Sequence, residues 1–419
     1  NGGRAADDVL RAYFRNRRYA GSKDRRAVGE HAYNILRNFQ CIEWVLGKGV
    51  HKPRDYFIAC IALSGEVDET LFGAGGHGPE ALSVDELAFV KRVKNLGEPP
   101  LYARVNCPEW LMPFMDKRFK GEVEEELSAL NQRAPLDIRI NTHKYTRGKA
   151  LDLLIKEQHE RAITPHSSLG IRLPKAPNIK HFSAYREGLI EIQDEASQIA
   201  SILTCVNPGN IVIDLCAGGG GKSLAMANMM KNEGVIYALD TSDKRLKSLS
   251  ERAKRASAKI IKPEIIEGFD KVDVRRGQLA KFKTLADVVV LDVPCSGTGT
   301  WRRDPELRLR LSEESLREFT KTQMRLMEEG ARLLKPGGRL VYMTCSLLPQ
   351  ENEEQITAFL KKREPWRLLG AQKIWVEALG GDKLKNLSTN LKCFQLTPHS
   401  NGTDGFFIGV LKKPNIKGI

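Results

Sequence analysis

Two cysteines follow apolar runs that are typical of buried strands, and one of them has an acid close by. The first run, 288–291, leads into Asp292 and, three residues later, Cys295. The second run, 340–343, ends shortly before Cys345. In parallel α/β sheets the carboxyl ends of the strands form the ligand crevice, so we expect the acid and both thiols to meet there. A single cysteine is more often a buried packing residue, but a pair at adjoining strand ends favours chemistry.

A thiol beside a second thiol and an acid suits methylation at carbon 5 of a pyrimidine. Carbon 5 of the aromatic ring is a poor nucleophile, and addition of a thiolate at carbon 6 makes an enamine whose carbon 5 can attack an electrophilic methyl group. The ring then needs a group that stabilises its developing charge, which Asp292 provides if it is protonated or shared with ring N3. A base must also remove the carbon-5 proton. Two neighbouring thiols therefore suit attack and release.

A glycine-rich loop follows another apolar run and is a candidate cofactor site. The run 211–213 ends in Asp214 and leads through Leu-Cys-Ala and four glycines to Lys222. The segment is not a phosphate-binding Walker loop, because Cys216 occupies the position of the required first glycine. The dinucleotide pattern G-x-G-x-x-G fails as well, since position 223 is serine. What is left is an acid followed by small residues that let a ligand approach the backbone.

The apolar run after this loop, 235–239, ends in Asp240. A carboxylate at the end of the second strand suits a ribose diol, because it can accept hydrogen bonds from both hydroxyls. Loop and acid together indicate a cofactor that carries adenosine without a pyrophosphate. The alternative is a glycine turn that serves packing only.

Three regions must position these residues. Apolar residues at helical spacing predict a helical region over 1–130, with a local excess of basic side chains. A strand-like alternation followed by a helical pattern predicts a small α/β unit over 131–187, and 71–79 is predicted as a loop. From 188 to 419 strand and helix patterns alternate, which predicts an α/β domain with a mostly parallel, Rossmann-like sheet.

Composition narrows the function classes. The chain has 419 residues, of which 28% are charged, and its 66 Lys and Arg against 52 Asp and Glu give a net charge of +14. That excess favours a polyanionic partner such as RNA, although a generally basic proteome would produce it too. No apolar run approaches the roughly 18 residues of a membrane span, and no secretion signal opens the sequence, so we expect a cytoplasmic protein without a membrane partner. Eight cysteines without a CxxC pair or zinc-spaced histidines predict no disulfide framework and no metal. We expect a monomer.

Three of these segments resemble the signature motifs of the RNA (cytosine-5) methyltransferase family, the Nop/Sun group, and most closely its bacterial small-subunit (16S) ribosomal RNA methyltransferase B branch. They are Asp214-Leu-Cys-Ala-Gly-Gly-Gly-Gly-Lys222, Asp292-Val-Pro-Cys295-Ser-Gly-Thr-Gly and Thr344-Cys345-Ser346. Further matches in the family order are Arg139-Ile-Asn-Thr142, Gln193-Asp-Glu-Ala-Ser-Gln198, Trp301-Arg-Arg303-Asp-Pro305, Glu351-Asn352 and Gly402-Thr-Asp-Gly405-Phe-Phe407. The resemblance covers about residues 105–410.

The resemblance implies S-adenosylmethionine as methyl donor and a role for each matching residue. The residues implied to hold its methionine and ribose are Cys216, Ala217, Gly218, Gly219, Gly220, Gly221 and Lys222. Asp240 would bind the ribose hydroxyls and Asp270 would lie beside the adenine, although Asp273 is close enough to compete for that role. Asp292 would serve both cofactor and target base. In this family the Thr-Cys thiol, here Cys345, is the nucleophile and the Pro-Cys thiol, here Cys295, assists release.

The resemblance also implies an RNA substrate, with ribosomal RNA favoured over transfer RNA. The segments Ser22-Lys-Asp-Arg-Arg26 and Tyr33-Asn-Ile-Leu-Arg37 resemble the NusB-like RNA-binding domain of the B branch, and 131–187 resembles the family's small RNA-recognition-like domain. A non-catalytic RNA-binding ribosome assembly factor is the alternative from another class.

Two further points concern single segments. Trp301, Arg302 and Arg303 either contact RNA near a flipped-out base or form a surface loop with an ordinary Arg–carboxylate pair. Gly219 stands where the family usually has proline, which should loosen the cofactor loop.

Overall fold

The computed structural model describes residues 4–65, 72–73, 78–156, 161–174, 177–379, 389–390 and 392–415. The chain divides into two compact units. The first consists of residues 1–132 together with 301–311, and the second of residues 133–300 together with 312–419. Most of the loop predicted at 71–79 lies outside the described residues.

The first unit is built from helices. They are α1 (Ala6–Arg15), α2 (Ser22–Arg37), α3 (Phe39–Leu46), α4 (Pro53–Ser64), α5 (Val84–Lys94), α6 (Leu101–Arg104), α7 (Met112–Phe119) and α8 (Val123–Ala129). Helices α3, α4 and α5 share a core that includes Ile42, Ile58 and Val90, each buried from solvent. The helical N-terminal region predicted from the apolar spacing is therefore confirmed.

The second unit begins with a small antiparallel sheet. Its elements are β1 (Leu136–Ile140), α9 (Arg147–Lys156), β2 (Ala162–Ile163), β3 (Gly170–Leu173), α10 (Ser183–Arg186) and β4 (Ile190–Ile192). The strand order β2-β3-β1-β4, with a helix after β1 and another after β3, is the ferredoxin-like arrangement. Its fourth strand lies just beyond residue 187, where the sequence predicted the small unit to end.

A larger sheet follows, with helices between its strands. Its elements are α11 (Glu195–Ile202), β5 (Ile211–Asp214), α12 (Gly221–Met229), β6 (Val235–Asp240), α13 (Asp243–Ala256), β7 (Ile261–Ile265), α14 (Val272–Ala280), β8 (Ala286–Asp292), α15 (Leu307–Arg310), α16 (Glu313–Leu333), β9 (Leu334–Thr344), α17 (Glu353–Lys362), β10 (Arg367–Leu368), α18 (Ala371–Leu379), β11 (Thr389–Asn390), β12 (Cys393–Leu396), α19 (Pro398–Asn401) and β13 (Phe406–Lys412). Of these, α15 belongs to the first unit.

The strand order among the described residues is β11-β12-β13-β9-β8-β5-β6-β7, with β10 paired to β13. Strands β5 to β9 run parallel, and β13 runs antiparallel to β9. The Rossmann-like, mostly parallel sheet predicted from the alternation of elements is therefore confirmed.

The continuous apolar run of β8 is explained by cover on both faces of this sheet. Val288 and Val290 pack into one core cluster, whereas Val289 and Leu291 pack into the other. A strand buried on both faces has no polar face to alternate with, so its sequence reads as an unbroken apolar stretch. Among the described residues no helix combines the length and the apolar character that crossing a membrane requires.

Candidate active site

Strand order places the predicted site residues side by side along one edge of the large sheet. Asp240 ends β6, Asp214 ends β5, Asp292 ends β8, and Cys345 follows β9. These four strands are neighbours in the order β6-β5-β8-β9 and run in the same direction. Since parallel strands lie about 4.8 Å apart, the edge from β6 to β9 spans roughly 14 Å.

A cleft of about 710 Å³ opens at this edge. Its lining includes Asp214, Cys216, Ala217, Gly218, Gly219, Gly221, Lys222, Asp240, Phe269, Asp292, Cys295 and Cys345. Gly220, which directly precedes α12, is absent from that lining and is packed against Leu249 instead. The structure thus brings the cofactor loop, the acids and both thiols predicted from the sequence into one cavity.

The glycine loop turns where glycine is required. Gly218 has φ +52° and Gly220 has φ +80°, both in the left-handed region that side chains disfavour. Gly220 is the residue before α12, and the helix begins at Gly221. The loop thereby leads from β5 into the helix N-terminus beside the cleft.

Arg252 holds this loop, and sequence reasoning missed it. Its Nη1 donates to the carbonyl oxygen of Gly219 at 2.5 Å, while Nη2 donates to Glu191 at 3.0 Å. Glu191 lies on the small sheet and is nearly fully buried. Its carboxylate therefore holds the Arg252 guanidinium in place while Nη1 contacts Gly219. The loosening expected from glycine in place of proline at 219 is therefore opposed by a charged contact to the same residue.

The carboxylate of Asp240 is oriented by the backbone. Oδ2 accepts from the backbone N–H of Gly218 at 2.8 Å, and Oδ1 accepts from the N–H of Ser242 at 2.8 Å. Each oxygen keeps a lone pair, so the group can still accept two hydroxyl hydrogen bonds. This arrangement suits the ribose role predicted for Asp240.

Asp214 is a buried carboxylate at the floor of the cleft. Its Oδ2 accepts from the Ser223 hydroxyl at 2.6 Å, while Oδ1 is buried without a partner among the described residues. Burial, with Asp292 and Asp240 nearby, raises the pKa of Asp214 to about 6. Burial likewise raises the pKa of the neighbouring Cys216 thiol well above its usual value. Cys216 is therefore a neutral lining residue at the pH of the cell.

Lys222 and Asp292 form an ion pair across the cleft. The Lys222 ammonium donates to Asp292 Oδ2 at 2.6 Å and lies 4.9 Å from the centre of the Phe406 ring. The side chain of Lys222 is 10% exposed, compared with 33% for Asp292. The pair engages one oxygen of Asp292 and leaves the other, Oδ1, for a ligand.

The two thiols lie within contact distance. Cys295 Sγ and Cys345 Sγ are 3.3 Å apart. The hydrogen bond to Cys345 and the burial of the Cys295 thiol both raise the pKa of Cys295 well above its usual value. When the pair carries one proton, that proton therefore stays on Cys295 and is shared with Cys345.

The two acids proposed for the adenine side lie outside the cleft lining. Asp270 is exposed on the short 3₁₀ turn Phe269–Lys271, and its Oδ1 lies close to Gly268, which lines the cleft. Asp273 is 95% exposed in its side chain and pairs with Arg276 at 3.4 Å. Of the two, Asp270 is the one that borders the cavity.

The structure contradicts both sequence-based interpretations of Trp301 and Arg302, whereas Arg303 is partly exposed. Trp301 is 1% exposed and Arg302 is 6% exposed, so neither an RNA-stacking surface nor a surface loop describes them. Within the first unit the Arg308 guanidinium lies 4.6 Å from the centre of the Trp301 ring. Arg308 also donates to Asn131 at 2.6 Å. The indole is a packing element of the helical unit.

The lining fits S-adenosylmethionine. The glycines let a ligand approach the backbone, Asp240 presents free acceptor sites for hydroxyls, and Phe269 adds an aromatic wall. The orphaned Asp214 Oδ1 is a buried acceptor that an ammonium or sulfonium charge would satisfy. No cluster of three metal-ligating side chains occurs within the part of the chain that the structure describes.

Comparison with known proteins agrees with this site. The family described as 16S rRNA methyltransferase RsmB/F matches residues 200–412, and the ferredoxin-like domain of RsmF/B-like methyltransferases matches residues 107–180. A probable ribosomal RNA small subunit methyltransferase B from Synechocystis is 34% identical over 308 residues, which are 73% of this chain and 66% of the relative. The ribosomal RNA small subunit methyltransferase B of Erwinia tasmaniensis is 25% identical over 98% of this chain and 95% of its own length.

A solved structure shows the same fold. A methyltransferase homolog protein from Pyrococcus horikoshii superposes with a TM-score of 0.62 at 27% identity, covering 75% of this chain and 97% of its own. The first family match spans more than half of the chain and contains the whole edge from Asp214 to Cys345. The chain therefore belongs to the 16S rRNA methyltransferase RsmB/F family and uses S-adenosylmethionine as its methyl donor.

Proposed function

We propose that this protein methylates carbon 5 of a cytosine in RNA, with small-subunit (16S) ribosomal RNA as the substrate, through a covalent bond between Cys345 and the base. The observation that carries the proposal is the 3.3 Å separation of the Cys345 and Cys295 sulfurs inside the cofactor cleft. One thiol is sufficient for most cysteine chemistry. A covalent adduct that must also be broken down suits two thiols, one that attacks the base and one that assists release.

Cys345 adds to carbon 6 of the base. The Cys295 thiol, which keeps the proton of the pair, donates to the Cys345 sulfur and stabilises its thiolate. The new carbon–sulfur bond moves electron density to carbon 5 and into the ring. A proton from solvent then neutralises the charge at ring N3, and Asp292, which is paired with Lys222, accepts the hydrogen bond of that N–H.

S-adenosylmethionine supplies an electrophilic methyl group when it is bound. The glycine loop and Asp240 would hold it at the β5 and β6 end of the edge, and the thiols would hold the base at the β8 and β9 end. Release then requires that the carbon-5 proton goes to a base while the carbon–sulfur bond to Cys345 breaks and its electron pair returns to the Cys345 sulfur. Cys295 is close enough to Cys345 to be that base once its own proton has passed to solvent after the attack.

The assignment of ribosomal RNA rests on the family and on charge. The relatives above carry ribosomal RNA small subunit methyltransferase B as their name, and the net charge of +14 suits a polyphosphate partner. We assign RNA binding to the helical first unit, which resembles the NusB-like domain, and to the small ferredoxin-like sheet. A ribosomal RNA substrate implies a cytoplasmic enzyme. Transfer RNA is the second candidate substrate, and a non-catalytic assembly factor is the alternative without chemistry.

The test compares three cysteine variants on RNA from cells that lack the gene. Cys345→Ala should abolish methyl transfer while S-adenosylmethionine binding is kept, because it removes only the nucleophile. Cys295→Ala should accumulate a protein–RNA adduct that survives a denaturing gel, because release is impaired. Cys60→Ala, at a thiol of the first unit that does not line the cleft, is the matched control and should behave as wild type.

Bisulfite sequencing of the same RNA identifies the substrate. One cytosine that gains protection in small-subunit ribosomal RNA supports the proposal, and a protected position in transfer RNA replaces the substrate but keeps the chemistry. Turnover by Cys345→Ala would refute the nucleophile. RNA binding without methylation by the wild type would favour the assembly factor.

A further inference from the structure

A buried carboxylate links the two loops that carry the thiols. Glu351 is fully buried, and two of the residues that contact its side chain, Ser296 and Ser346, directly follow the two cysteines. Glu351 Oε2 accepts from both serine hydroxyls at 2.5 Å. Its other oxygen, Oε1, accepts from the backbone N–H of Ser296 at 2.9 Å. One side chain therefore contacts the residue after Cys295 and the residue after Cys345.

Helix α16 holds this carboxylate from a third direction. Gln323, which is fully buried, donates through Nε2 to Glu351 Oε1 at 2.9 Å. The same nitrogen donates to the carbonyl oxygen of Pro294 at 3.0 Å. Cys295 is thus flanked by two residues, Pro294 and Ser296, that are both tied to the Glu351–Gln323 pair. The glutamate cannot shift without disturbing the chain on both sides of that thiol.

The remaining contacts between the loops are weaker anchors for the thiols. Gly299 N donates to the carbonyl oxygen of Cys345 at 2.9 Å, and Leu347 N donates to the Thr298 hydroxyl at 2.8 Å. Both contacts lie two or more residues past Cys295 in its loop. Ser296 and Ser346 also contact each other at 3.1 Å, but hydroxyls can rotate, and the carboxylate fixes which way both point.

Burial raises the pKa of Glu351, and the hydrogen bonds from Ser296, Ser346 and Gln323 oppose that rise. A buried carboxylate is costly to keep without full hydrogen bonding. Three of its four hydrogen bonds come from the residues that directly follow the two thiols, and the fourth comes from Gln323, so the carboxylate is directed at the two loops that carry the thiols.

We propose that Glu351 is a positioning residue that fixes the distance between the Cys295 and Cys345 thiols. The inference rests on the function proposed above for those thiols, and it adds a residue that touches neither base nor cofactor. The nucleophile Cys345 and the release group Cys295 must keep their spacing through attack and elimination. A misplacement of about 1 Å can cost roughly 100-fold in rate.

Two substitutions distinguish the hydrogen bonds by which Glu351 connects the two thiol-bearing loops from the carboxyl group that makes them. In Glu351→Gln the amide oxygen can accept from Ser296 N and Gln323 while the amide nitrogen donates to the two hydroxyls, so the link survives. In Glu351→Ala the link is gone. We expect kcat to fall about 100-fold in the alanine variant and less than about 10-fold in the glutamine variant, with KM for RNA and for S-adenosylmethionine within about threefold of wild type in both.

Thiol spacing can be measured without any turnover. Diamide, a diazene, takes two protons and two electrons and becomes a hydrazine while two thiols become one disulfide. In wild type the sulfurs must close from 3.3 Å to about 2.05 Å, and both line an open cleft. We expect the peptide that joins Cys295 to Cys345, quantified by mass spectrometry, to form at least about 10-fold more slowly in Glu351→Ala and at a near wild-type rate in Glu351→Gln.

The controls keep each outcome decisive. Glu318→Ala and Glu318→Gln remove an exposed carboxylate on α16 that pairs with Lys321, and both should match wild type. If Glu351→Ala does not fold, Ser296→Ala and Ser346→Ala each remove one arm of the link and are measured in its place. Wild-type disulfide and turnover rates in Glu351→Ala, or in both serine variants, would overturn the proposal. A wild type that forms the disulfide but methylates no RNA would overturn the proposed function, and the disulfide rates would still decide the role of Glu351.

Discussion

Gly220 and Gly218 lie two residues apart in the cofactor loop, yet alanine should affect them very differently. Both have positive φ, +80° and +52°, so each alanine costs about 1–2 kcal/mol of backbone strain. A Cβ at Gly220 would lie 2.4 Å from Cγ and 2.8 Å from Cδ1 of Leu249, whereas a Cβ at Gly218 would meet nothing within 4 Å. Leu249 is fully buried and cannot swing into solvent.

Overpacking of this kind costs about 1–3 kcal/mol in addition to the strain. We therefore expect Gly220→Ala to lower the free energy of unfolding by about 2–5 kcal/mol and Gly218→Ala by about 1–2 kcal/mol. The assay is guanidinium unfolding followed by tryptophan fluorescence and circular dichroism, with the slope m compared between variants.

A third alanine substitution serves as a control, because we expect it to raise the free energy of unfolding instead of lowering it. Gly277 lies inside α14, is exposed, and has free space around an added Cβ. Gly277→Ala should therefore stabilise the protein by about 0.5–1 kcal/mol through helix propensity. Equal losses for the Gly220 and Gly218 variants, or the larger loss at Gly218, would refute the reasoning about Leu249.

Two other predictions concern acids of the cleft. Because the pKa of Asp214 is raised to about 6 from 3.8, the folded state holds that proton more tightly than the unfolded chain; the free energy of unfolding should therefore fall by about 3 kcal/mol as the pH rises from about 3 to 7, and unfolding curves of Asp214→Asn across that range should lack this decline. Asp270→Asn should weaken S-adenosylmethionine binding, measured by calorimetry, at least about fivefold. Asp273→Asn, at an exposed acid paired with Arg276, should leave that binding unchanged. The reverse order would move the adenine-side role to Asp273.

The edge of the large sheet could be predicted from sequence because short-range patterns determine it. Each of the runs before Asp214, Asp240 and Asp292 is apolar on both faces of its strand, and parallel strands bring their carboxyl ends to the same edge. Nothing more than strand order was needed to place Cys295 next to Cys345. The sequence therefore predicted which residues meet, although not their distances.

Contacts between distant residues were not predictable in this way. Trp301 and Arg302 follow the turn that carries Cys295 and look like exposed chain, but both are buried in the helical unit, where Arg308 lies over the Trp301 ring and donates to Asn131. Glu351 ends the short turn Pro349–Glu351, whose polar sequence gives no sign of burial. The resemblance of Glu351-Asn352 to the family was one signal, and the serine after each cysteine was another, since two hydroxyls at adjoining strand ends need a common acceptor.

Charge along the sheet edge gives the reaction its direction. Asp240, Asp214 and Asp292 place three acids on β6, β5 and β8, with Lys222 paired to the last of them. A cationic methyl donor is favoured at this acidic end, whereas a neutral base is better placed at the β9 end, where Cys345 lies. Burial, together with the neighbouring acids, raises the pKa of Cys216 and keeps that thiol inert. In the proposed reaction the reactive thiols are therefore those beyond Asp292, and the methyl group would pass from the acidic side of the cleft toward Cys345.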